Sequence, residues 1–187
     1  MKGATIMPSI RKAAALLTAL TLVLSITGAL AADYTATGLF TITYDDALTL
    51  DDTSYQDETT GGESRWLFML SNSEYIIDVT IERIAEYESL SLFSATDTEK
   101  QRYLNDTLDS FSDDNATYLE TIEAGPNLIP FYLYHLESEE GPYLMAETIV
   151  KGYAIDFCAY YCDESAAADE ALAVSLSSVL ASFLPVQ

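Results

Sequence analysis

The residues able to do chemistry are a single histidine, His135, two cysteines, Cys158 and Cys162, and an unusual number of carboxylates, 30 Asp and Glu against 8 Lys and Arg. His135 lies in Phe131-Tyr132-Leu133-Tyr134-His135-Leu136. Strand alternation puts it on the face of Phe131 and Leu133. No G-x-S-x-G precedes or follows it, so the residue reads as a hydrogen-bonded member of a sheet and not as a triad base. Two cysteines favour one disulfide, Cys158–Cys162, wherever the compartment is oxidising. In a continuous strand, however, that separation spans about 13 Å, and a bridge needs Cα atoms within roughly 7 Å. The bridge therefore requires the chain to turn by about Tyr160, and separate thiols are the alternative. A structural zinc site needs four ligands, more than the Cys and His residues the chain owns.

The carboxylates cluster. Asp45, Asp46, Asp51, Asp52, Asp57, Glu58 and Glu63 follow one another with no basic residue among them. Calcium takes six to eight oxygen ligands, largely from such groups, so Asp45, Asp46, Asp51 and Asp52 are the candidate cation ligands, against the plainer reading of a solvated, self-repelling loop. Their spacing is not that of an EF-hand. A second run, Asp106, Asp109, Asp113 and Asp114, has the same two readings. A carboxylate pair for glycoside hydrolysis is defined by a separation in space and cannot be picked out among 30 acids. Trp66 reads as a buried hairpin anchor, with a ligand-stacking platform as the alternative.

These groups must be held by elements, and the N-terminus says where the elements work. Lys2, Arg11 and Lys12 precede an apolar run from Ala13 to Ile26, and a small-residue stretch ends in Ala29-Leu30-Ala31. That order is a secretory signal, with cleavage expected after Ala31. The run is too short to span a bilayer. No cysteine stands at the cleavage point to carry a lipid, so the product is expected to be secreted or in the cell envelope and not a lipoprotein. Cleavage removes three basic residues and no acidic one, which leaves five against 30. So negative a chain repels phosphate backbones and anionic lipid surfaces. A protein of opposite charge or a divalent cation remains as partner.

After a short lead over 32–37, hydrophobic period and turn residues divide 38–185 into elements of one domain. Gly38 to Tyr44 reads as a strand, with a short apolar piece around Leu48 and Leu50. Residues 51–64 have the composition of a mobile acidic loop. Trp66–Leu70 and Tyr75–Ile84 form a hairpin. Thr96-Asp97-Thr98-Glu99 has the spacing of a capping box and opens a helix with Leu104, Leu108 and Phe111 on one stripe. Four strands follow, at Ala116–Glu123, Ile129–Leu136, Tyr143–Lys151 and Tyr153–Tyr160. A helix from about Ala166 to Phe183 closes the chain before Pro185. The expected fold is α+β, a single antiparallel sheet of six or seven strands with helices packed on it.

That order, the opening Phe40-Thr41-Ile42-Thr43-Tyr44 strand, the segment Gly152-Tyr153-Ala154-Ile155-Asp156-Phe157 and the closing Ser182-Phe183-Leu184-Pro185 resemble the PsbP-like family. That family is named for an extrinsic subunit of photosystem II and shares an α/β/α fold with Ran-binding release factors. The resemblance implies a scaffold used for binding, and it carries no functional residue across. The expectation is an exported, non-catalytic binding or assembly module with an acidic surface and no cofactor beyond a calcium ion. A cell-envelope hydrolase using a carboxylate pair is the alternative.

Overall fold

A computed structural model describes residues 31–36, 38–52, 58–60, 63–111, 116–138, 141–163 and 166–186. Of the expected signal sequence, 1–31, residues 1–30 lie outside the described residues. Strand β8 (Ile129–Ser138) explains the layering: it is buried from Phe131 through Leu136 with no exposed alternate positions. A strand so apolar on both sides needs a cover on each face. Phe131 and Leu133 enter one core, with Leu172, Leu176 and Leu180 of the C-terminal helix α2 (Glu170–Leu180). Tyr132, Tyr134 and Leu136 enter a second core, with Tyr103 of the first helix α1 (Asp97–Ser110).

Between the helices lies an antiparallel sheet in the order β3-β5-β6-β10-β9-β8-β7, with β4 also paired to β5. Its strands are β3 (Thr49–Asp51), β4 (Glu58–Thr60), β5 (Glu63–Ser71), β6 (Tyr75–Arg83), β7 (Thr117–Ala124), β8, β9 (Gly141–Val150) and β10 (Tyr153–Tyr161). Central β10 runs opposite β6 from Arg83–Tyr153 to Tyr75–Tyr161, and so joins the β5–β6 hairpin to the β7–β9 meander.

The expected single sheet is accompanied by a smaller one. The segment read as a lead forms β1 (Ala31–Ala36), which pairs with β2 (Phe40–Asp45), and β11 (Leu184–Pro185) pairs with the other side of β2. Phe40 of β2 stacks on Phe183 at 4.8 Å between ring centroids, and Phe183 meets Phe131 at 5.0 Å, so this small sheet closes the α2-side core. Strand pairing also reaches into the segment read as a mobile loop. Asp51 ends β3, and Glu58–Thr60 pairs with Glu63–Arg65 around Gly61-Gly62, while 53–57 and 61–62 lie outside the described residues.

The capping box forms as the sequence predicts: Glu99 N donates to Thr96 Oγ1 and Thr96 N to Glu99 Oε2 at 2.8 Å. Helix α2 starts later than Ala166 because Asp169 is its N-cap, with Oδ1 accepting from Ala171 N and Leu172 N at 3.0 and 3.2 Å. Satisfying those two donors fixes the start there. The helix ends at Leu180, and Phe183 belongs to the turn that leads into β11.

The crossover from β6 to α1 is tied to the β9–β10 turn. Ile84 N donates to Gly152 O (3.0 Å), Gly152 N to Leu90 O (2.9 Å) and Leu92 N to Ile149 O (3.0 Å). Gly152 has φ +80°, and a Cβ there would stand 2.5 Å from Glu88 O. Only glycine meets both demands.

Candidate functional site

Strand alternation puts Glu147 of β9 on the α1 side of the sheet, between Met145 and Ile149, which both join the second core. The residue is 4% exposed. Tyr103 of α1 and Tyr134 of β8 donate hydroxyl hydrogen bonds to it, the latter at 3.2 Å, and Thr107 Oγ1 lies 3.3 Å from Oε1. Across the strands it faces Tyr132 on one side and Asp156 on the other. Burial pushes the Glu147 carboxyl up to about 7, because the charged form loses its water, although the three hydroxyls pull the other way. The same burial, with Glu147 beside them, raises the Tyr103 and Tyr134 phenols far above their ordinary value.

A buried acid next to a second acid is the constellation a carboxylate-pair hydrolase would use, but a substrate must reach it. Glu147 lines neither of the two grooves described. One, of about 530 Å³, runs between the first turns of α1 and strands β7 and β8, with Lys100, Leu104, Tyr118 and Tyr132 at its base and Phe93 and Leu128 on its rims. The other, of about 500 Å³, lies between the 84–95 crossover and α1 and is lined by Glu86, Tyr87, Glu88, Ser91, Glu99 and Arg102. Its one cation is engaged: Arg102 bonds Glu86, stands 3.6 Å from Asp106 and lies 5.4 Å from the Tyr87 ring centre. Asp106 also accepts the Tyr87 hydroxyl, so this member of the second acidic run is part of a surface network. Asp113 and Asp114 lie outside the described residues.

The four aspartates named as calcium ligands occupy the β2–β3 region without converging. Asp45 ends β2 and accepts Ala47 N at 2.9 Å, Asp46 is in the turn, Asp51 ends β3 and Asp52 follows it. Among the described residues no three His, Cys, Asp or Glu side chains gather as a metal site.

The expected disulfide is corrected. β10 runs straight through Cys158 to Tyr161, so no turn brings Cys162 back, and the two cysteines are not bridged. Cys158 faces the α1-side core, and exposed Cys162 holds its backbone N–H on Glu74 O at 2.9 Å. His135 is buried in β8 with Nε2 3.8 Å from Glu137 Oε1, a sheet position as expected. Trp66 packs against Tyr153 at 5.7 Å and anchors the β5 end of the sheet.

Sequence reasoning missed Glu147. The signal was present, since its same-face neighbours at two residues' distance are Met145 and Ile149, where an acid is costly unless satisfied. The facing tyrosines Tyr132 and Tyr134 were legible too, but nothing in the order of residues paired them with a particular acid.

Among the described residues no helix is long and apolar enough to cross a membrane. No family model matches the sequence, and no curated protein matches it. Among solved structures, cyanobacterial PsbP (CyanoP) from Synechocystis sp. PCC 6803 is similar, at 15% identity and a TM-score of 0.48 over 87% of this chain and 98% of that one. This is a likeness of folds, and it says nothing of what this chain binds.

Proposed function

We propose that the chain is an exported, non-catalytic binding or assembly module whose acidic surface meets a basic protein partner. The observation that carries this reading is the sealing of Glu147: the group best tuned for acid–base work is buried, satisfied by hydroxyls and absent from both grooves. A general acid must lie within hydrogen-bond reach of its substrate. Glu147 instead fastens α1 to the sheet. What the molecule offers to a partner is open relief with exposed carboxylates.

Divalent cations are a second class of partner for the same surface. Around Asp45, Asp46, Asp51 and Asp52 they would act as diffuse counter-ions, because side chains that do not converge offer no coordination cage.

The test is capture from the native envelope over a range of ionic strength. Capture of a basic partner that declines steeply with salt supports the reading, since exposed charge pairs are screened over about 10 Å at 0.1 M. Intact mass of the captured protein should begin at Ala32, in keeping with export. Turnover of an envelope polymer that Glu147→Gln or Asp156→Asn abolishes would overturn the reading in favour of a hydrolase.

A further inference from the structure

We infer that the free edge of β7, together with the groove beside it, is a docking site for an extended segment of a partner protein in which basic and apolar side chains alternate. The inference rests on the binding-module reading and names its surface.

Strand β7 ends the sheet, and among the described residues it pairs with β8 alone. An edge strand offers a row of backbone donors and acceptors to another chain. Native edges are blunted with charged side chains, proline or a bulge. β7 has a bulge at its start, between Tyr118 and Glu120, and two glutamates, Glu120 and Glu123, which guard it against acidic strands while the backbone after the bulge stays regular and free of proline. Glu120 to Ala124 is therefore a regular and open edge.

The groove supplies the side-chain half of the site. Phe93 and Leu128, 51% and 62% exposed, are two of the three large apolar side chains left exposed among the described residues, and both line it. Leu128 is also in the wrong place for stability. Its φ is +51°, in a turn where Leu128 N donates to Gly125 O, and glycine or asparagine would sit there with less strain. A strained leucine presented to solvent is accounted for by a contact it makes with something else. Tyr132 and Leu104 extend the apolar base inward. A strand added to β7 would place every second side chain over this base.

Charge selects the occupant. Exposed Asp97 and Glu123 stand at the groove and outnumber Lys100 at its base, and Glu120 lies on the other face of the edge. A second copy pairing antiparallel at β7 would bring another Glu120 and Glu123 to the same short stretch, adding like charge to like. Lysine or arginine in the added strand would meet them favourably.

The experiment uses the full-length chain and two synthetic peptides as long as β7, 8 residues. One alternates lysine with valine and the other glutamate with valine. The lysine peptide should bind and slow hydrogen exchange at the backbone amides of Glu120–Ala124. Leu128→Asn, which suits the positive φ, and Phe93→Ser should each weaken that binding about tenfold. Equal binding of the glutamate peptide, binding without protection of β7, or no binding would overturn the inference. Protection present without peptide would overturn it as well, assigning the edge to a second copy if lost on dilution and to the chain's own 1–30 segment if not. Photo-crosslinking of a partner from Ser178 on α2, with no response at β7, would sink the groove and leave the binding-module reading standing. Envelope-polymer turnover would sink both.

Discussion

Replacing Glu147 with glutamine separates the cost of a buried charge from everything else in the fold. In the native state the acid keeps its proton up to about pH 7, against an ordinary value of 4.5. The native state thus binds this proton more tightly than the unfolded chain does. The stability it contributes is complete below about pH 4.5 and is lost as pH rises through about 7. Each pKa unit is worth 1.36 kcal/mol, so the full loss comes to ~3 kcal/mol. Glutamine is neutral at every pH and still offers an oxygen to Tyr103 and Tyr134, so Glu147→Gln should remove the loss. At low pH the variant should equal the wild type or fall ~1 kcal/mol below it, the worth of one imperfect hydrogen bond. Above pH 8 it should be the more stable protein by ~2 kcal/mol, or about 4–8 °C in Tm for a domain of this size. Urea unfolding of both proteins from pH 4 to 8.5 provides the measurement. Asp78 and Glu120, raised by burial, add to the wild-type slope in the same direction, and Glu99 and Asp169, lowered by their hydrogen bonds, act oppositely. All four are common to both proteins and cancel in the difference. Parallel curves would refute the reasoning, because the charge would then cost nothing where it sits.

Three further outcomes are expected. The purified protein should take up two alkylating groups without reductant, Cys162 quickly and Cys158 slowly, and a mass lower by two hydrogens with no alkylation would mean that β10 bends as the structure says it does not. Leu176→Ala should cost ~2–5 kcal/mol in chemical denaturation, as its side chain is fully enclosed beneath α2, and an unchanged midpoint would mean that α2 is not packed there. Calcium at about millimolar level should raise Tm more than sodium chloride at matched ionic strength, and changing Asp45, Asp46, Asp51 and Asp52 to asparagine should shrink the difference without removing it; complete removal would mean a coordination site there, and equal shifts would reduce those aspartates to a solvated surface.

The elements that local chemistry specifies were legible in the sequence. Thr96 and Glu99 announced the start of α1, and the alternation in β8 placed His135 on the face of Phe131 and Leu133. Relations that only the folded chain creates were not legible. β1 is short and polar on one face, β11 is two residues long, and each exists because β2 lies beside it, so the small sheet had no signature of its own. The start of α2 was misread for a related reason. Ala166-Ala167-Ala168 has high helix propensity, but the Asp169 carboxylate bonds the two N–H groups beyond it and wins the competition locally. The disulfide was a question of where a strand stops, and pairing with Tyr75 carries β10 one residue past the turn that a bridge would have needed.

The position of β10 decides how the chain must be made. The β5–β6 hairpin is complete in the first half of the sequence, yet β6 has no second neighbour until Tyr153–Tyr161 has been synthesised and has crossed to it. Until then Ile77, Val79 and Ile81 lie along an unsatisfied edge, bound for a core whose other wall does not exist. Closing so long a loop is what slows a fold rich in distant pairings. An intermediate stalled at this step would be aggregation-prone.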